Sequence, residues 1–313
     1  MAIQNYVVLN GEVLDVCSRI NDDGDPDLLT IALRVIRRKD NILSRQGTTM
    51  KQDFPIVIIR EKDQIMKLWD GGMKTGDMLE VFGILCTVPA KRKFVCKECG
   101  ATNSFLGTRT YIHPTYVCLK ENGQNGFQLD KETSWKLLKE RSEVSNYICL
   151  VGELCRDPIY YNEGGTRVCT YQIAVNRKLH IIEDPAEIRT DYIWVKSLGN
   201  QAEKDAEALK CHSRVMVIGA LQARNKFQFK NDHSIEQRRM ERVCEECGTI
   251  NLVEVDTMEV VPYYVEYLEN FNHMESKRYS DDEEDWFAGK NDEEENWEED
   301  RDEEIRDSLD END

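Results

Sequence analysis

The feature that most constrains this chain is that it repeats itself once. NYVVLNGEVLD from Asn5 returns as NYICLVGELCRD from Asn146, and MLEVFGIL from Met78 as RVMVIGAL from Arg214. FVCKECGATN from Phe94 returns as RVCEECGTIN from Arg242, and HPTYVCLKEN from His113 as VPYYVEYLEN from Val261. Matches in one order along two stretches are poorly explained by chance and point to a duplicated domain. The expected organisation is a first domain at 1–120 ending in a CKECG segment, then a polar linker at 121–145 with a short helix around Trp135 to Glu140. A second domain follows at 146–272 with its own CEECG segment, then a tail at 273–313.

Each copy reads as β-rich, with alternating or continuous apolar runs of strand length broken by glycine and charge. In the first copy strands are expected near Tyr6 to Asp15, Leu28 to Arg38, Phe54 to Arg60 and Leu79 to Thr87. Between the last two, EKDQIMKLWDGG places Ile65, Met66, Leu68 and Trp69 on a short amphipathic helix stopped by glycines. GNQAEKDAEALK holds the same place in the second copy. A helix between the third and fourth strands of a small barrel is the order of an OB-fold. The expected fold class is therefore all-β with short helices: two tandem OB-fold barrels, each followed by a CxxC segment.

The net charge of −18 belongs to one end of the chain. Asp281 to Asp313 holds 19 of the 59 acidic residues and 3 of the 41 basic ones, leaving the body with 40 and 38. Such a tail buries too little apolar surface to offset the entropy of ordering, so it is expected to be disordered. It either solubilises the chain or, through Trp286, Phe287 and Trp297 among its carboxylates, mimics a nucleic acid.

Binding single-stranded nucleic acid takes cations that track phosphates and aromatic faces that stack on bases. The second copy offers Arg177 and Lys178 after its second strand, and His180 beyond them. Tyr192 and Trp194 follow in the third strand, and Arg224, Lys226, Phe227, Phe229 and Lys230 lie beyond the fourth. Tyr192 and Trp194 are two apart and share one sheet face. Each aromatic has the alternative of filling the barrel interior. The first copy offers Arg37, Arg38 and Lys39, then Arg45 and Lys51 in a long loop, and the cluster Lys91, Arg92, Lys93, Phe94.

NYICLVGELCRDPIYYNEGGTRVCTYQIAVNRK, followed by RTDYIWVKSLGNQAEKDAEAL and HSRVMVIGALQARNKFQF, resembles the bacterial-type single-stranded DNA-binding protein family across Asn146 to Lys230. The first copy keeps LNGEVL, IALRVIRRK and VFGIL but lacks the RDP and GNQAE motifs. The resemblance implies sequence-tolerant binding and protection of single-stranded DNA during replication, recombination or repair, in the cytoplasm of a bacterium or of a virus-infected bacterial cell. It puts Tyr192 where the family has a base-stacking tryptophan. It implies assemblies of four OB-folds, hence a homodimer of this two-barrel chain. It also implies an acidic tail that recruits replication or repair proteins and competes with DNA, although this chain ends LDEND without the usual hydrophobic terminal residue. An RNA-directed OB protein and a protein-interaction scaffold are the alternatives.

The 11 cysteines are expected to be mostly free thiols in a reducing compartment, since no hydrophobic leader opens MAIQNYVVLN and no run approaches the roughly 20 apolar residues of a membrane span. Cys96 and Cys99 form one pair and Cys244 and Cys247 another, while zinc takes four tetrahedral ligands. The symmetric solution is one zinc per chain held by all four, stapling the repeats across a pseudo-twofold axis. A local site closed by His113 or Cys118 is the alternative, but the second copy has Val261 and Glu266 there. Empty reduced pairs or a redox dithiol remain; the latter needs a CxxC opening a helix in a βαβ setting. The remaining cysteines read as small core residues. No P-loop, GxSxG elbow or HExxH occurs, so an enzyme is not expected.

Overall fold

The computed structural model describes residues 5–38, 50–120, 132, 136, 140, 145–163, 165–181, 190–224, 238–255 and 257–269. Lys39, Arg45, Lys226, Phe227, Phe229, Lys230, most of the expected linker helix and the acidic tail lie outside them. Met1–Glu269 forms one compact unit.

In the first repeat β1 (Asn5–Ile20), β2 (Pro26–Arg38), β3 (Met50–Asp53), β4 (Ile56–Ile59), α1 (Lys62–Asp70), β5 (Met78–Val95) and β6 (Thr102–Leu119) follow in order. β1 pairs with β2, β2 with β4, β4 with β6 in parallel, β6 with β5, and β5 with β1 again, closing a five-stranded barrel. The second repeat has β7 (Asn146–Leu154), β8 (Ile159–Glu163), β9 (Thr166–Asn176), β10 (Thr190–Leu198), α2 (Asn200–Ala208) and β11 (Arg214–Arg224). β12 (Arg238–Val243), β13 (Ile250–Val255) and β14 (Thr257–Glu269) complete it. β7, β9, β10, β14 and β11 close the second barrel, again with one parallel contact, Val195 against Val260. Each barrel has the strand order and helix position of an OB-fold, as the apolar runs predict.

Alternation sets the inside. Val7, Leu9, Val81 and Leu85 in one barrel, and Ile148, Leu150, Ile173 and Val195 in the other, are buried; each such side chain contributes about 1.5–3 kcal/mol. The helices plug the barrel ends through Ile65 and Leu68 of α1 and Ala202 of α2. Gly83 and Gly219 sit at matched bulges in β5 and β11, where a Cβ would stand 2.3 and 2.2 Å from the carbonyl oxygens of His113 and Val261. Only glycine fits there, which explains why VFGIL and VIGAL keep it. Among the described residues no helix is long and apolar enough to cross a membrane.

The two barrels meet edge to edge. β1 pairs antiparallel with β7, from Asn5 opposite Leu150 to Leu9 opposite Asn146. Asn5 and Asn146 begin the two copies of the same motif, so the register is self-complementary about a local dyad. Each asparagine side chain also brackets the fourth strand of its own barrel: Asn5 donates to the Leu85 carbonyl at 2.8 Å and accepts from the Leu85 amide at 2.9 Å, while Asn146 makes both bonds to Leu221 at 2.8 Å.

The expected fourth strand near Leu79 to Thr87 is too short. β5 continues through Lys91–Phe94 to Val95 and pairs with β6 along its length, so the basic cluster lies on a ribbon that projects past the barrel.

Candidate nucleic-acid interface and metal centre

Ile193 and Val195 of β10 point into the second barrel, so Tyr192, Trp194, Lys196 and Leu198 point out. Ladder partners Ala174, Gln172, Thr170 and Val168 of β9 lie beside them, and Ile159 and Tyr161 of β8 extend the face. Tyr192 is 49% exposed and Tyr161 59%. Arg156 lies 5.4 Å from the Trp194 ring and donates to Gln172 at 2.9 Å, which presents guanidinium and indole together. Ile159, Tyr161, Thr166, Val168, Thr170 and Lys196 line a shallow depression of about 280 Å³. An open sheet face with rings and cations interleaved can stack unpaired bases and offset phosphate charge. Arg156, Tyr161 and Lys196 were absent from the sequence expectation. Lys196 stands four residues after Tyr192 on one strand, and period two alone reaches it.

The matching face of the first barrel is filled. Ile58, at the position of Lys196, is buried with Cys86 and Tyr111 and with Ile181, which follows β9 of the other repeat. Leu28, Ile56, Ile84 and Val88 pack around them. Phe54, at the position of Tyr192, is 8% exposed. Arg60 covers Tyr111, with its guanidinium 5.3 Å from the ring and a bond to the hydroxyl at 3.4 Å.

Two arginines expected in the groove lie in the seam between repeats instead. Arg37 is 5% exposed, donates to Asp53 at 2.8 Å and reaches Gln222 of the second repeat at 3.1 Å. Arg177 donates to both oxygens of Asp191, at 3.1 and 2.5 Å, and to the Thr87 carbonyl of the first repeat at 3.3 Å. A guanidinium so enclosed has its donors committed to carboxylate and carbonyl oxygens, and removing either member strands a buried charge. Lys51, Lys91, Lys93 and Lys178 are exposed, while Arg92 and Phe94 are half-buried. Of Arg38 and Arg224 only the backbone, at the ends of β2 and β11, is described.

The ribbons end at the cysteines. Cys96 and Cys99 occupy the turn between β5 and β6, and Cys244 and Cys247 the turn between β12 and β13. Gly100 and Gly248 both adopt φ +72°, and their amides close the turns onto the Cys96 and Cys244 carbonyls. Left-handed backbone makes glycine the fitting residue at both turns. Across the dyad Cys96 lies 3.7 Å from Cys247 and Cys99 3.6 Å from Cys244, and all four sulfurs fall within 4.8 Å of one another.

Two asparagines lace the turns together. Asn103 of the first repeat donates to the Cys244 sulfur at 3.4 Å and accepts from the Glu245 amide at 2.8 Å. Asn251 of the second donates to Cys96 at 3.4 Å and accepts from the Lys97 amide at 3.0 Å. The Cys99 amide and then Asn251 bring the Cys96 thiol down to about 6, and the Cys247 amide lowers Cys244. Arg242 sits 4.5 Å over Phe105, which in turn meets Phe94 at 6.3 Å. Four sulfurs with amide donors aimed at two of them suit a tetrahedral thiophilic cation. The arrangement is the cross-repeat one: His113 is buried 3.2 Å from Glu61, Cys118 bonds the Leu119 carbonyl, and neither joins the cluster. All 11 cysteines are free thiols; Cys86 and Cys169 are buried as expected, whereas Cys17 is exposed.

Residues 145–248 match the model of the Single-strand binding protein family. Single-stranded DNA-binding protein 2 of Chlorobaculum tepidum is 32% identical over 81 residues, covering 25% of this chain and 55% of its own length. The chain thus spans about half the length of the curated relative it matches. Among solved structures, the wild-type single-stranded DNA binding protein from Thermus aquaticus superposes with a TM-score of 0.49 at 18% identity, over 86% of this chain and 94% of that one. The small single-stranded DNA-binding protein from Streptomyces coelicolor gives 0.25 at 16% identity, over 39% and 92%.

Proposed function

We propose, on the premise that residues 145–248 belong to the single-strand binding protein family, that the whole chain binds and protects single-stranded DNA without strong sequence preference in replication, recombination or repair. The observation that carries this reading is the outward row of Tyr192 and Trp194 with Arg156 and Lys196 beside them. Bases stack on the rings while Lys178, Lys51 and the ribbon residues Lys91, Arg92, Lys93 and Phe94 follow the strand. Lys39, Arg38, Arg45, Arg224, Lys226, Phe227, Phe229 and Lys230 are further DNA contacts in this reading. The chain acts by binding and not by catalysis.

Cys96, Cys99, Cys244 and Cys247 would hold one zinc ion per chain. Zinc bound there would supply bonds to all four sulfurs and no redox chemistry, and so would join the repeats. Metal analysis of the purified chain is expected to give one zinc; two would refute the shared site.

A homodimer is supported by the outer side of the continuous sheet. Tyr6, Phe82 and Tyr116 form an aromatic row with centroids 6.5 and 6.1 Å apart. Tyr147, Ile218 and Tyr264 occupy the dyad-related positions, and Tyr116 and Tyr264 are 48% and 49% exposed. An exposed apolar patch of this kind can meet the same patch of a second copy across a twofold rotation. The tail beyond Asp281 recruits replication or repair enzymes and competes electrostatically with DNA.

The reading is tested by titrating the chain with oligo-dT while following tryptophan fluorescence. Quenching and saturation are expected. No response at low salt, with residues 281–313 removed, would overturn it.

A further inference from the structure

We propose that the cysteine centre and the aromatic face of the second repeat are coupled sites, so that a thiophilic divalent cation on the four sulfurs and single-stranded nucleic acid on β10 each tighten the binding of the other. The inference rests on the single-strand-binding reading and adds regulation to it.

Both arms that carry the cysteines also hold β10. On one side β5 runs unbroken from the first barrel to Val95, the residue before Cys96. Within that strand the Thr87 hydroxyl accepts from the Tyr192 amide at 3.0 Å, and the Thr87 amide donates to Asp191 at 2.7 Å. On the other side Cys247 lies in the turn before β13, which leads past residue 256 into β14, and β14 pairs with β10 through Val260 and Val195. Tyr192 therefore stands on a strand gripped by two arms whose far ends the four sulfurs join.

The element that can dock or release is the β12–β13 hairpin. It forms a two-stranded sheet of its own, separate from the 12-stranded sheet among the described residues. Its inner side meets the β5–β6 ribbon through Asn251, Asn103, the Arg242–Phe105 contact and the cysteines. Its outer side leaves Val243, Ile250 and Leu252 at 61%, 61% and 50% exposure. A lone two-stranded hairpin is marginal in water. Four sulfurs within 4.8 Å of one another, two from each turn, can all bond one cation only while the hairpin is docked. Cation binding therefore favours the docked hairpin, and docking fixes the strand that bears Tyr192.

Linkage makes the effect reciprocal: the factor by which the cation strengthens nucleic-acid binding equals the factor by which nucleic acid strengthens cation binding. A factor of about ten lies within the usual range for coupled sites.

The test uses the full chain, zinc-loaded and metal-stripped. Affinity for oligo-dT is measured on both forms, and zinc affinity is measured by competition with a chelating dye, with and without saturating oligo-dT. Stripping is expected to weaken oligo-dT binding about tenfold, and oligo-dT to raise zinc affinity by the same factor. The variant Thr87→Val removes the hydroxyl that accepts from the Tyr192 amide while keeping every cysteine and both asparagines, and is expected to bind both ligands while the coupling factor shrinks toward one. Equal oligo-dT affinity with and without zinc, or zinc affinity unmoved by oligo-dT, would overturn the proposal, as would failure to retain zinc at all. A zinc-loaded chain that ignores oligo-dT would instead refute the single-strand-binding reading.

Discussion

At one position of the third barrel strand, repeat one has Ile58 and repeat two has Lys196. Around Ile58 the neighbours are Tyr111, Cys86 and Ile181, all buried; around Lys196 they are Thr170, Val168 and the exposed Ile159 and Tyr161. Two sets of strands with one topology thus end in opposite surfaces. The difference teaches that the barrel dictates where a face lies but not whether it is open. Side chains packed against the barrel strand decide that: Cys86 of β5, Tyr111 of β6 and Ile181 after β9 cover Ile58, whereas Tyr161 and Tyr192 beside Lys196 are exposed.

This contrast can be broken at several points. The largest effects should be equal in both halves. Asp53→Ala and Asp191→Ala each strand a buried guanidinium, and each is expected to cost about 3–5 kcal/mol in denaturant unfolding; a difference of several kcal/mol between them would mean the seam is not symmetric. Next comes a swap that should act on one half alone. Ile58→Lys places an ammonium among Tyr111, Cys86 and Ile181, and is expected to lower stability by about 3 kcal/mol, while Lys196→Ile leaves it within about 0.5 kcal/mol. Tolerance of Ile58→Lys would show the first face to be open after all.

Tyr192→Ala is expected to remove about 1–3 kcal/mol of oligo-dT binding with little change in unfolding midpoint, as measured by fluorescence titration beside thermal melts. Unchanged affinity would take Tyr192 out of the interface. The smallest effect belongs to Lys196→Gln, expected to reduce the slope of log affinity against log salt by about 0.7, the value for one phosphate of a single strand. An unaltered slope would leave Lys196 without a phosphate contact.

Much of this was legible in the residues. The repeat and the helix between the third and fourth strands carried the OB order, and paired CxxC segments with no second local pair pointed to one shared centre. Tyr192 and Trp194 share a face because the strand has period two. What could not be read was burial of charge. Arg37 and Arg177 stand at strand ends beside other cations, as groove residues do, and their partners Asp53 and Asp191 belong to other strands; only the fold brings them together. Asn103 and Asn251 had a signal, since GATN and GTIN both keep the asparagine, but its reach across the dyad to the opposite turn needs three-dimensional distances. The ribbon was missed for a different reason: KRKF looks like loop because its charges alternate with nothing apolar until Phe94 and Val95.

The β1–β7 register has one more consequence. In an assembly of separate identical subunits, every substitution arrives on both sides of the axis at once, so a filled face and an open one cannot coexist. Carrying both strands in one polypeptide lifts that restriction, and each half becomes free to change alone. Sameness persists at the seam at Asn5 and Asn146, at Asp53 and Asp191, and at the four sulfurs with their paired asparagines.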